Sequence, residues 1–275
     1  MTSAEALARA RALGVASLDA QLLLARVLVT TRTGLIANDE RVLSESEAAR
    51  WSGWLARRAA GEPVAYLLGE KEFCGLMFEV RPGVLVPRPE TELLVDWAAE
   101  RLGECAAGAT VLDLGTGSGA IALAIKHRFP QVQVTAVDAS PVALDVAGAN
   151  AARLGLDVEL VASSWFGALG RRRFDLIVAN PPYIGADDSH LAALRHEPIE
   201  ALASGRDGLD ALTSIAGSAS DRLADGGWLL LEHGFGQGEA VRTLLVQAGL
   251  GAVTTRRDLA GHERATGGRR PATTK

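Results

Sequence analysis

Thr110-Val111-Leu112-Asp113-Leu114-Gly115-Thr116-Gly117-Ser118-Gly119-Ala120-Ile121-Ala122-Leu123-Ala124-Ile125 is the stretch whose reading decides the fold. A short apolar run ends in a loop with glycine at every second position, and a run of helix formers follows at once. This order predicts a strand, a tight loop and a helix. Glycines let a ligand approach the loop backbone, while the first helical turn presents N–H groups that have no partner. Working outward, the apolar runs at 132–137, 158–161, 174–179 and 228–231 are separated by helical segments. Strands alternating with helices predict an α/β domain with a doubly wound parallel sheet over residues 90–275.

Nineteen positions past Gly119 lies Asp138, at the end of the next predicted strand, where a carboxylate can accept hydrogen bonds from both hydroxyls of a ribose. Two cofactor classes fit this much. Gly115-x-Gly117-x-x-Ala120 satisfies the dinucleotide fingerprint, so the loop by itself is compatible with an NAD or FAD enzyme. Asp113 tips the balance, because it completes Asp-x-Gly-x-Gly-x-Gly and sets a carboxylate at the strand tip. An acid there suits the ammonium of S-adenosyl-L-methionine and suits a pyrophosphate poorly. A plainer role for Asp113, capping the turn that follows it, stands beside that one.

The run 174–179 leads into Asn180-Pro181-Pro182-Tyr183, again at the carboxyl end of a predicted strand, where open α/β sheets place their ligands. Two successive prolines fix φ and remove two backbone donors, which leaves carbonyl oxygens and an Asn side chain without competing N–H groups. Such a corner accepts hydrogen bonds from an NH₂ group. The Asn180 oxygen and the Pro181 carbonyl can take one amide hydrogen each, while the Tyr183 ring packs on the flat face of the acceptor. An amide nitrogen is a poor nucleophile, so hydrogen bonds that strengthen as it becomes tetrahedral and positive are what the chemistry requires.

The first sixty residues have a different character, with no proline and apolar residues at helical spacing. They predict a small helical domain, 1–60. Ser17 is placed as the cap of a helix whose buried stripe includes Leu18, Leu22, Val27 and Leu28. Ser44 and Glu47 form a capping box ahead of Ala48, Trp51, Leu55 and Ala59. Gly61-Glu62-Pro63 breaks the pattern, and residues 61–89 read as a linker carrying a β-hairpin that turns at Arg81-Pro82-Gly83. The last residues, 271–275, read as a frayed tail.

Composition bounds the function classes. With 28 Lys+Arg against 33 Asp+Glu the net charge is −5, which argues against a protein held to nucleic acid through phosphates. No apolar run approaches the roughly 18 residues of a spanning helix, and Glu5, Arg9 and Arg11 follow Met1 where a signal segment would be apolar. A soluble, cytoplasmic protein without membrane partners is expected. Cys74 and Cys105 alone give neither a disulfide framework nor a zinc motif, and the five histidines, at 127, 190, 196, 233 and 262, lack ligand spacing, so no metal is expected.

Taken together, the motifs resemble those of the protein-(glutamine-N5) methyltransferases of peptide-chain release factors, the HemK or PrmC family, over nearly the whole chain. Besides the glycine loop and Asn180-Pro181-Pro182-Tyr183, the resemblance rests on Pro63-x-x-Tyr66 with Gly69, on Phe73-x-Gly75-x-x-Phe78, and above all on Val84-Leu85-Val86-Pro87-Arg88-Pro89-Glu90-Thr91-Glu92. Glu197-Pro198, Asp207-Gly208-Leu209, Leu231-Glu232-His233-Gly234 and Asp258-Leu259-Ala260-Gly261 extend it. It implies a Rossmann-like S-adenosylmethionine-dependent methyltransferase domain behind a helical N-terminal domain that helps to bind class I release factors. It implies that Gly115, Thr116, Gly117, Ser118, Gly119 and Asp138 bind the cofactor, that Trp165 packs near its adenine, and that Asn180 to Tyr183 hold the substrate glutamine of a Gly-Gly-Gln loop. Members often carry an acid just before the Trp165 position, where this chain has Ser163-Ser164. Arg88 and Glu90 either line the cofactor pocket or tie the hairpin to the domain. Three other readings compete: an amino-methyltransferase acting on a nucleic-acid base, a module that senses S-adenosylmethionine without turnover, and an NAD-dependent oxidoreductase. The first must extract a base or grip a single strand, which the net charge of −5 disfavours.

Overall fold

A computed structural model describes residues 1–105 and 108–272. The chain divides into two compact units, Met1–Glu70 and Lys71–Lys275. Residues 273–275 of the expected tail lie outside the described residues. No helix among the described residues is long and apolar enough to cross a membrane.

The first unit is built from α1 (Ser3–Ala12), α2 (Ser17–Val27), α3 (Arg32–Ala37), α4 (Glu45–Ala59) and α5 (Val64–Leu68). The Ser44–Glu47 capping box forms at the start of α4, and a second box, Thr2 with Glu5, starts α1. Ser17 does not cap α2: Ala16 takes the cap position without a side-chain bond, and Ser17 is already helical. The stripe of α2 is met only in its second half. Val27 and Leu28 are buried as expected, together with Ala20, Leu23 and Leu24, whereas Leu18 and Leu22 face solvent. Both choices have helical spacing, so periodicity alone could not fix the phase; Trp51 and Leu55 of α4, fully buried in the same cluster, show which face is covered.

β1 (Glu70–Phe73), which starts at the last residue of the first unit, and β2 (Leu76–Glu79) pair as a two-stranded sheet. Its turn is Cys74-Gly75, with φ of 49° and 76°; Arg81-Pro82-Gly83 does form the expected turn, Val84 N donating to the Arg81 carbonyl at 3.3 Å, but lies beyond the hairpin. A two-residue hairpin loop needs positive φ at both central positions, and a glycine at the second meets half of that demand. A 3₁₀ turn, Pro89–Thr91, then leads into α6 (Glu92–Gly103).

The sheet elements follow as β3 (Thr110–Leu114), α7 (Ala120–Arg128), β4 (Gln133–Asp138), α8 (Pro141–Leu154), β5 (Glu159–Ala162), β6 (Phe174–Ala179), α9 (Asp210–Arg222), β7 (Leu223–Glu232), α10 (Gly238–Gln247), β8 (Gly251–Arg257) and β9 (Glu263–Arg269). Seven strands pair in the order β5-β4-β3-β6-β7-β9-β8. Strands β3 to β7 are mutually parallel, and β9 runs antiparallel to both of its neighbours. This is the expected α/β class with a parallel-rich, Rossmann-like sheet. The final pair β8 and β9 was not foreseen, because Gly267 and Gly268 depress the strand signal. Glycine is needed there: a Cβ on Gly267 would lie 2.6 Å from Leu230 and 2.8 Å from Trp97 of α6.

Strand order reverses between β3 and β6, so their carboxyl ends bound the crevice where such sheets bind ligands. Register makes the crevice sharp. Leu114 pairs with Val137 and Ala179, and Ala179 pairs with Leu231. The residues next in chain order, Gly115, Asp138, Asn180 and Glu232, therefore leave the sheet at one level. Beneath them Leu112, Leu114, Ile177, Leu229 and Leu231 form a fully buried layer.

Candidate functional site

A cavity of about 590 Å³ opens at that edge. Of the residues singled out from the sequence, Gly115, Gly117, Asp138, Trp165, Asn180 and Pro182 line it. Gly83, Val84 and Leu85 close one side, with Pro198, Glu200 and Ala201. A second cavity, about 350 Å³, lies toward the amino ends of the strands near Arg101, Asp175 and Arg269 and touches none of the candidate residues.

The loop is shaped by its backbone. Gly115, Gly117 and Gly119 all have positive φ, at 73°, 57° and 83°, a region that L residues enter at a cost. The N–H groups of Gly115 and Thr116 both donate to the Val137 carbonyl, which welds the loop to β4. Asp138 then uses both carboxylate oxygens: Oδ2 accepts from Gly117 N at 2.9 Å and Oδ1 from Ser140 N at 2.8 Å. Each oxygen keeps a second lone pair, and the carboxylate faces the cavity. Trp165 has φ of 46°, unusual for a bulky residue, and its ring forms a wall beside Gly115.

Asp113, Thr116 and Ser118 are buried and do not line the cavity; Gly119 sits at the amino end of α7. Asp113 Oδ2 accepts from the Thr116 hydroxyl at 2.6 Å and from Ala122 N at 3.2 Å, so it ties the turn to the helix. Its Oδ1 is buried with no partner. Burial pushes this carboxyl up to about 7, although the two hydrogen bonds pull it down. Ser118 is held from below by Asn150 of α8, whose amide donates to the Ser118 carbonyl at 2.9 Å and exchanges two hydrogen bonds with Glu79 of β2. Sequence reading missed Asn150. A polar residue on the buried face of a predicted helix was the available signal.

These residues fit S-adenosylmethionine. None of the residues lining the cavity is Lys or Arg, whereas Asp138 and Glu200 are acidic and the orphaned Asp113 Oδ1 lies beneath the loop. Carboxylates at those positions suit a cationic ligand bearing a ribose and offer a pyrophosphate no counter-charge.

At the other side, Asn180 donates from Nδ2 to the Thr91 hydroxyl at 3.2 Å. Its Oδ1 is thereby left as an acceptor. Pro181 is buried and Pro182 lines the cavity. Tyr183 packs its ring on the sheet core and donates its hydroxyl to Glu232 Oε1 at 3.2 Å. Burial and the neighbouring Glu232 raise the phenol above its usual range. The carboxyl of Glu232 is itself pushed up to about 7 by burial. Thr91 and Glu232 were not recognised as site residues from sequence, although both lie inside family-like segments.

Arg88 does not line the cavity. It pairs with Glu197, whose Oε2 also accepts from Val86 N at 2.9 Å. That carboxylate joins the 84–89 segment to Pro198, and so holds two sides of the cavity together. Glu90 does not line the cavity either.

Residues 89–231 match the family described as Methyltransferase small domain, and residues 2–69 match the PrmC N-terminal domain. A release factor glutamine methyltransferase of Bordetella pertussis is 51% identical over 258 residues, covering 93% of this chain and 95% of the relative. One of Burkholderia pseudomallei is 48% identical over 279 residues, covering 98% and 96%. Among solved structures, a 16S rRNA methyltransferase of T. thermophilus in complex with AdoMet and guanosine aligns with a TM-score of 0.56 at 24% identity, over 73% of this chain and 49% of that one. At that identity the likeness speaks for the fold alone.

Proposed function

The chain belongs to the release factor glutamine methyltransferases, which depend on S-adenosylmethionine, and from that premise we propose that it methylates the side-chain amide nitrogen (N5) of the glutamine in the Gly-Gly-Gln loop of class I peptide-chain release factors. The observation that carries this reading is the orientation of Asn180. Because its Nδ2 is committed to Thr91, the acceptor oxygen is free for an incoming NH₂ group.

When bound, S-adenosylmethionine supplies an electrophilic methyl group. Gly115 and Gly117 would let it approach the loop backbone, Asp138 would accept from its ribose hydroxyls, Trp165 would wall its base, and the unpaired Oδ1 of the buried Asp113 would serve its ammonium. Asn180 Oδ1 and the Pro181 carbonyl each accept one hydrogen of the substrate amide. Held in that way, the nitrogen lone pair points at the electrophile, and both acceptors gain strength as the nitrogen becomes positive. Tyr183 covers the flat face of the amide. The nitrogen loses one proton after transfer, so no strong base is required at the site.

The helical unit serves in this reading as a docking surface for the release factor, and the reaction takes place in the cytoplasm. Direct binding of nucleic acid plays no part in it. The test is mass spectrometry of a purified release factor after incubation with the enzyme and S-adenosylmethionine. One added methyl on the loop glutamine is expected; an unmodified glutamine, or a methyl on another residue, would overturn the proposal.

A further inference from the structure

Both arms of the acceptor corner turn toward one carboxylate that has no assigned role. Glu232 ends β7, level with Asn180 at the end of β6, and is 1% exposed. Tyr183 donates its hydroxyl to Oε1. The other arm runs from Asn180 Nδ2 to the Thr91 hydroxyl, and that hydroxyl in turn stabilises the ionised form of Glu232. Oε2 has no formal partner and is sealed from water. A buried carboxyl in that position costs stability and is hard to explain by packing, because an apolar side chain would fill the place without an orphaned oxygen.

We propose that Glu232 is a positioning residue of the methyl-transfer site, fixing the Tyr183 ring through its phenol and the facing of the Asn180 amide through Thr91. The inference rests on the reading of Asn180 to Tyr183 as the corner that holds the glutamine. Its physical content is a direction. When ionised, Glu232 can only accept, so the Tyr183 hydroxyl is aimed at it, while Asn180 N–H is committed to Thr91, whose hydroxyl favours the ionised carboxyl. This order leaves Asn180 Oδ1 as the acceptor that the substrate needs. When protonated, Glu232 must itself donate, the Tyr183 hydroxyl at 3.2 Å is an oxygen in reach of that proton, and the support that the ionised carboxylate gives to the Tyr183 and Thr91 hydroxyls is lost.

The charged and titratable groups around Glu232 are Tyr183, Glu90 of the 3₁₀ turn and Arg264 of β9. Arg264 is paired with Asp258 at 3.2 Å. Burial outweighs them and holds the carboxyl near 7, so its protonation changes in the range where the enzyme can be assayed.

The experiment compares wild type with Glu232→Gln, using intact release factor and S-adenosylmethionine in single turnover from pH 6 to 8. Gln keeps the shape but forces one arm to reverse. Wild-type turnover is expected to rise through about pH 7. The variant should lose about tenfold at pH 8, the scale of one hydrogen bond, and should lose that rise, with cofactor affinity by calorimetry unchanged. Asp113, also near 7, is present in both proteins, so the difference between the profiles belongs to Glu232. A readout without turnover accompanies it: the fall in wild-type stability between pH 4.5 and 7 should be shallower in the variant. A Glu232→Gln protein with wild-type turnover and the wild-type pH profile would overturn the inference, even if its melting temperature fell. Should that variant not fold, Tyr183→Phe removes the same hydrogen bond from the other side, and wild-type turnover in it would overturn the inference equally. A wild-type enzyme that leaves the glutamine unmethylated would instead overturn the reading of the corner, and this inference with it.

Discussion

The two sides of the cavity, to which the proposed function assigns the cofactor and the acceptor, are built by different means. On the cofactor side the backbone does most of the shaping: positive-φ glycines, two N–H groups on the Val137 carbonyl, and the carboxylate of Asp138 bonded to two further N–H groups. On the acceptor side the shape depends on side chains, with Asn180 held by Thr91 and Tyr183 held by Glu232. A cofactor that brings its own charge and hydroxyls can be gripped by a rigid loop and a carboxylate. A neutral amide brings little, so the protein must present acceptors with a fixed sense, and fixing that sense takes buried polar groups that stability alone would not favour.

If this division is right, a side-chain deletion on the acceptor side should hurt turnover more than binding. Asn180→Ala removes the acceptor oxygen and should lower single-turnover methylation by about a hundredfold or more, the scale of one transition-state hydrogen bond, with calorimetric affinity for S-adenosylmethionine reduced far less. Near-normal rates at saturating release factor would break the distinction between the two sides. Asp138→Ala should show the opposite pattern. Losing charge-assisted hydrogen bonds to the ribose, each worth about 1.5–3 kcal/mol, should weaken cofactor binding by at least about tenfold. Because Asp138 also holds Gly117 and Ser140, its thermal stability must be followed in parallel. A folded variant that binds like wild type would show that the carboxylate serves the loop alone.

The same division explains what the sequence could reveal. The cofactor loop was legible because its conformation leaves local marks: glycines at alternate positions and a strand run ending in Asp113-Leu114. The corner was legible as far as its prolines restrict the backbone. Thr91 and Glu232 were not, since they lie 89 and 52 positions from Asn180, and only folding brings the 3₁₀ turn of Thr91 to its amide and sets Glu232 level with it across β6 and β7. A like reason separates β4 and β6, whose apolar runs mark them, from β9, whose Gly267 is required by Trp97 packing from α6. In the helical unit, the phase of α2 depended on which helices cover it, a matter of tertiary contact that periodicity does not encode.

A smaller effect is expected from removing the helical unit. Neither the glycine loop nor Asn180-Pro181-Pro182-Tyr183 lies in Met1–Glu70, so a protein beginning at Lys71 should bind S-adenosylmethionine, provided it folds. If residues 1–70 dock the release factor, KM for the intact factor should rise by roughly tenfold, while a short glutamine peptide should be used as before. Equal use of both substrates would remove docking from the proposed function and leave the helical unit a structural role.

The smallest effect concerns Asp113 and decides between its two roles. Its folded pKa of about 7 lies above the ordinary carboxyl value of 3.8, so the folded state holds the proton more tightly than the unfolded chain. The stability this gives is complete below about 3.8, declines as pH rises through the folded value, and is absent above it, with a slope of up to roughly 1.4 kcal/mol per pH unit in between. Asp113→Asn cannot titrate and should flatten that part of the curve. Turn capping and ammonium binding predict the same flattening, so stability does not separate them; cofactor affinity does. If Oδ1 faces the ammonium, binding favours the ionised carboxyl, a proton is released, and wild-type affinity should increase by several-fold between pH 5.5 and 7. Asp113→Asn should bind more weakly and lose that dependence. Calorimetry in two buffers of different ionisation enthalpy measures the released proton directly. No proton release and a flat wild-type affinity would leave Asp113 as the tie between Thr116 and Ala122, and would make the backbone's share of the cofactor side larger still.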